Sequence, residues 1–118
     1  METTEAVKAL SALAQEGRLA VFRLLVRAGR EGMAAGDLAR KLDVAANTLS
    51  AQLTILSTAG LVVSRREGRS IIYTASYDEM DALIVFLMAN CCQGRSEICV
   101  PVAAAASWSP KDYEGALT

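Results

Sequence analysis

A chain of 118 residues, 53% hydrophobic and 21% charged, can bury one modest core, which excludes a reading with several large domains. A formal charge of -1 excludes a protein that coats nucleic acid indiscriminately, although a net value hides local clusters of cations. The sequence has no histidine, so it lacks both the usual general base near neutral pH and the commonest zinc ligand, and enzyme readings start far back.

At the start of the chain, Glu2 and Glu5 stand where a signal peptide carries positive charge, and no apolar run reaches membrane-spanning length. The expectation is a cytoplasmic protein with no membrane segment. Val7, Leu10, Leu13 and Ala14 recur at helical spacing and predict a first helix over Thr4 to Gln15. A second runs from Arg18 to Ala28, with Leu19, Phe22, Leu25 and Val26 on a broad face, and stops at Gly29. Leu38, Ala39 and Leu42 mark a short third helix, Asp37 to Leu42, and Asp43 to Ala46 reads as a connecting turn. The fourth, Ala46 to Ala59, carries the stripe Leu49, Leu53 and Leu56 and ends at Gly60.

Leu61 to Arg66 and Ser70 to Ala75 are rich in Val, Ile and Tyr, and Glu67-Gly68-Arg69 supplies the loop of a β-hairpin between them. A fifth helix opens at Tyr77-Asp78 and runs to about Asn90. It places Met80, Leu83, Ile84, Leu87, Met88 and Cys91 on one face and Asp78, Glu79 and Asp81 at the favourable N-terminal end. Beyond Cys99 the composition has no clear periodicity and reads as a loosely ordered tail. The order is mainly α with a β-hairpin, α-α-α-α-β-β-α. Residues 1–92 are expected to form one folded domain, and 93–118 a cysteine-bearing loop and flexible tail.

A short helix, a tight turn and a second helix with polar exposed residues is the geometry that enters a DNA major groove, and Asp37 to Ala59 fits it. Asn47, Thr48, Ser50 and Gln52, in the first half of the fourth helix, carry hydrogen-bonding groups suited to base edges or phosphates. The hairpin projects Arg65, Arg66 and Arg69 as a wing, where cations meet phosphates or the minor groove. Either element alone also reads as an ordinary solvated face; their order along the chain favours the winged helix-turn-helix.

Ala9-Leu10-Ser11-Ala12-Leu13-Ala14, Arg18-Leu19, Val44 to Leu61 and Arg65-Arg66-Glu67-Gly68-Arg69 together resemble the ArsR/SmtB winged-helix repressors over about residues 5 to 92. The resemblance implies a homodimeric bacterial repressor that holds operator DNA until a metal or metalloid binds. It also implies dimerisation through the first and last helices, which suits Val7 and Leu10 together with Met80, Leu83, Leu87 and Met88. The recognition helix departs from many relatives, which carry histidine or arginine where this chain has Ala51 or Gln52.

The family's familiar cysteine pair on the third helix would fall near Gly36 to Ala39, where there is none, and its zinc site of carboxylates and histidines on the last helix is closed, in a chain without histidine, except through oxygen ligands. Cys91, Cys92 and Cys99 instead resemble the arsenical repressors that carry a C-terminal trithiolate. Arsenite is a soft trivalent centre that exchanges three hydroxyls for three sulfurs, so three thiols match three bonds. Adjacent residues on a regular helix point about 100° apart, so Cys91 and Cys92 share an ion only where the helix loosens, as Gly94 allows. The expected effector is therefore As(III), with Sb(III), methylarsenite or another thiophilic ion such as a softer divalent one as alternatives on the same fold, and no organic cofactor. Three other readings stand beside it: incidental apolar thiols, a disulfide-forming redox sensor on the same fold, and a small thiol-dependent arsenical reductase. The reductase lacks both a Cys-x-x-Cys pair and an anion-cradling loop.

Overall fold

In a computed structural model, which describes residues 1–89, helix α1 (Thr3–Leu13) lays Ala6, Ala9 and Ala12 against the body of the molecule. Side chains this small let the helix lie close. Two of its C-terminal carbonyls are satisfied from the next helix: Arg18 donates from Nε to the Ala12 carbonyl at 2.6 Å and from Nη2 to that of Ser11 at 3.3 Å. Helix α2 (Glu16–Ala28) begins where the Gln15 side chain accepts the Arg18 N–H at 2.8 Å.

After α2 the chain makes a 3-10 turn, Gly29–Glu31, and a two-residue strand, β1 (Met33–Ala34). Gly32 joins them with φ 71° and ψ -163°, a region essentially reserved for glycine. A Cβ there would also strike the Tyr73 carbonyl and the side chains of Thr74 and Ile72. Helix α3 (Ala35–Leu42) closes on Asp43, whose φ of 54° is left-handed, while the Val44 N–H reaches back to the Ala39 carbonyl at 3.1 Å. This cap turns the chain into α4 (Ala46–Thr58).

Strands β2 (Val62–Glu67) and β3 (Ser70–Ala75) pair antiparallel from Val62 with Ala75 to Glu67 with Ser70. The hairpin loop is thus two residues, Gly68-Arg69, one fewer than the sequence suggested. Of the two only Gly68 has positive φ, the pattern of a type II′ turn. β1 adds on the outer side of β3, so the sheet has three strands in the order β1-β3-β2 and not the bare hairpin expected.

Helix α5 (Tyr77–Met88) starts at Ser76, whose hydroxyl accepts the Glu79 N–H at 3.3 Å. The Tyr77 hydroxyl donates to the Val26 carbonyl at 2.9 Å and pins α5 to the end of α2. The core is made by Val21, Phe22 and Leu25 of α2, Leu38 of α3, and Leu49, Leu53 and Leu56 of α4, closed by Leu61, Val62, Ala75 and Leu83. No polar side chain belongs to it among the described residues. The architecture is the winged helix-turn-helix: mainly helical, with α3 and α4 as the helix pair and the hairpin as the wing.

One part of the anticipated apolar stripe on α5 turns inward. Leu83 is 6% exposed and belongs to the core, and Met80 packs against it. The outward apolar residues of α5 are Ile84, Val85 and Leu87.

Candidate nucleic-acid interface

Burial of Leu49, Leu53 and Leu56 fixes how α4 is rotated, and that rotation decides which of its polar residues face outward. Asn47, Thr48 and Ser50 are exposed. Asn47, Ser50, Ala51 and Thr54 make one exposed stripe at spacings of three and four, the row a groove would meet. Thr54 extends the predicted set, and the spacing from Asn47 and Ser50 was the signal for it. Its hydroxyl donates to the Ser50 carbonyl at 2.9 Å, which leaves its oxygen able to accept.

The N-terminus of α4 has no side-chain cap at Ala45, so its first N–H groups remain for an anion such as a DNA phosphate, apart from that of Thr48, which the Asn47 side chain takes at 2.9 Å.

Gln52 stands apart from this row. It is half-buried, and its amide lies against Gly17 at the start of α2, in space that a Cβ on residue 17 would fill. Its Oε1 is buried with no hydrogen-bond partner. In this arrangement Gln52 joins the recognition helix to the α1–α2 corner, while the exposed stripe runs along other positions.

The three wing arginines also separate. Arg65 donates to the Arg30 carbonyl at 3.0 Å, the Glu31 carbonyl at 2.7 Å and Glu67 Oε1 at 3.0 Å, so its guanidinium braces the wing against the 3-10 turn. Arg66 makes one long bond, Nε to the Gly68 carbonyl at 3.4 Å, and Arg69 sits at the tip with no side-chain partner among the described residues. Arg66 and Arg69 are therefore the wing cations able to meet phosphate without first breaking internal bonds.

The sequence-level ligands Cys91, Cys92 and Cys99 lie outside the described residues. Among the described residues no group of three His, Cys, Asp or Glu side chains is placed to hold a metal ion, and no helix is long and apolar enough to cross a membrane.

A helix-turn-helix domain family matches residues 13–65. The transcriptional activator HlyU of Vibrio cholerae is 33% identical over 77% of this chain and 82% of its own length. The biofilm growth-associated repressor of Agrobacterium fabrum is 37% identical, over 75% of this chain and 74% of that protein. Among solved structures, an ArsR-like transcriptional regulator from Rhodococcus sp. RHA1 superposes with a TM-score of 0.68 at 27% identity, over 89% of this chain and 96% of that one.

The chain belongs to the ArsR family of winged helix-turn-helix regulators. It is accordingly a DNA-binding transcription regulator and not an enzyme. A further neighbour, the homodimeric winged helix-turn-helix domain of a Mycobacterium bovis protein, has a TM-score of 0.61 at 26% identity, over 76% of this ArsR-family chain and 82% of that domain.

Proposed function

We propose that this regulator is a homodimeric repressor that occupies operator DNA and leaves it when trivalent arsenic binds Cys91, Cys92 and Cys99. The observation that carries the reading is the confinement of all three cysteines to nine residues directly after α5, in a chain with no histidine. In the exchange each thiol proton leaves with one arsenic-bound hydroxyl as water, and three As–S bonds replace three As–O bonds. No electrons move.

In the sequence the cysteines follow α5 and not the recognition helix, so in this reading their effect passes through subunit arrangement. Val7 and Leu10 on α1 and Ile84, Val85 and Leu87 on α5 are exposed apolar residues on helices that pack together, which supports pairing through this face. The homodimeric M. bovis neighbour supports the same state. Asn47, Thr48, Ser50 and Thr54 would then read the groove, with Arg66 and Arg69 on phosphates.

The test is fluorescence anisotropy on labelled operator under reducing conditions, titrated with arsenite, antimonite, methylarsenite, cadmium, lead and zinc. Arsenite should release the DNA, and a variant with serine at all three cysteine positions should stay bound. Release of that variant by arsenite, or release of the natural chain by zinc alone, would overturn the reading.

A further inference from the structure

Between α2, the end of α3 and β1 lies a half-open cleft of about 580 Å³, within the size range of small-molecule sites. Leu24, Met33 and Leu42 form its floor; each is half-buried, packed on the core from one side and open to the cleft on the other. Arg23, Arg27 and Lys41 stand around it, and among the described residues no acidic side chain lines it. Among the described residues none of these three cations forms an ion pair or a side-chain hydrogen bond. Arg27 and Lys41 lie in the last turns of their helices, where a cation suits the helix dipole. Arg23 lies in mid-helix and has no such reason to be there. In a chain with 13 acidic residues against 12 basic ones, three unpaired cations over an apolar floor form a site with one clear complement.

We propose that this cleft binds an amphipathic organic anion, a carboxylate with an apolar body, as a second effector independent of the cysteines. The apolar part lies on Leu24, Met33 and Leu42, and the carboxylate meets Arg23, Arg27 and Lys41. A DNA phosphate strand fits less well: it would use the cations but leave the apolar floor unmatched.

The site touches both parts of the DNA reader. Lys41 and Leu42 end α3 directly before the turn into α4, and Met33 in β1 pairs with Tyr73 in the wing strand β3. An occupant seated between α2 and these elements shifts the recognition helix relative to the wing and lowers operator affinity.

Decanoate is a suitable probe, with 1-decanol and inorganic phosphate as the apolar and anionic halves alone. Two-dimensional NMR of the reduced full chain should show saturable decanoate shifts at the Met33 and Lys41 amides. Decanol and phosphate should bind roughly tenfold or more weakly, as expected when either the charge-assisted hydrogen bond or the apolar half of the ligand is missing. Arg23→Gln/Arg27→Gln and, on a separate helix, Lys41→Gln should each weaken decanoate to a similar extent while circular dichroism stays unchanged. Decanoate should also weaken operator binding by the natural chain. Equal binding of decanol or of phosphate, or undiminished binding by the variants, would overturn the site. Decanoate that binds without changing operator affinity would overturn its role as effector. If the variants reduce the salt dependence of DNA binding and decanoate does not bind, the cations serve phosphate and the proposal fails.

Discussion

Arg65 and Arg69 have the same side chain, four residues apart on one hairpin, yet their surroundings give them different work. Three of the five N–H donors of Arg65 are held by Arg30, Glu31 and Glu67, so Arg65→Gln should lower folding stability by about 1 kcal/mol, a partly exposed charged network being worth less than a buried one. Arg69→Gln should leave stability unchanged in urea unfolding and reduce the slope of log K against log salt by about 0.9 for each phosphate that the variant no longer neutralises. Equal stability losses, or an unchanged salt slope for Arg69→Gln, would contradict this division. None of it was legible in the sequence, where Arg65, Arg66 and Arg69 form one basic cluster, because the carbonyls that hold Arg65 lie 34 and 35 residues earlier in the chain. Gln52 is a similar case: its inward placement depends on the missing side chain of Gly17, which no spacing rule along α4 reveals. The positions of Asn47, Thr48 and Ser50 were legible, because the leucine stripe on the same helix fixes which way they face.

At the scale of elements, strong local patterns read well and short or borrowed structure did not. Strand β3 and the start of α4 coincide with the hydropathy reading at Ser70–Ala75 and Ala46. β1 was invisible because Met33-Ala34 is too short to alternate and owes its form to pairing with Tyr73 and Ile72 across the tight turn at Gly32. The anchoring of α5 also rests on a distant partner, the Val26 carbonyl. Burial raises the pKa of the Tyr77 hydroxyl above its ordinary value, and the Arg30 guanidinium near the ring lowers it in part. A raised folded-state pKa means that the contribution is fully present below the unfolded value, about 10, and is lost as pH rises through the folded value. Tyr77→Phe should therefore cost about 1 kcal/mol near neutral pH, and the gap should close as pH is raised above about 10. Urea unfolding of both chains across that range measures it; a gap that is constant with pH would show that the hydroxyl bond does not depend on the proton.

For the whole molecule, the decisive question is what covers the exposed apolar residues of α1 and α5, two helices in contact with each other. Val85 is 67% exposed, Val7 56% and Leu87 52%; among the described residues the only other large apolar side chain above half exposure is Val63 on β2, at 52%. Winged helix-turn-helix proteins that read a palindrome need two copies held at fixed spacing, so the covering surface proposed here is a second copy of the same chain. Val85→Glu/Leu87→Glu should then yield a folded monomer in sedimentation equilibrium, because an exposed charge is harmless in the separate subunit and costly when desolvated at an interface. Operator affinity should fall in step with the loss of dimer at each protein concentration. Leu83→Ala makes the contrasting case: Leu83 faces the core, so its truncation should lower stability by roughly 2–5 kcal/mol and leave the association of folded chains largely intact. A glutamate double variant that remains dimeric would place the assembly surface elsewhere, and it would also remove the route by which the cysteines that follow α5 in the sequence are proposed to reach the recognition helix.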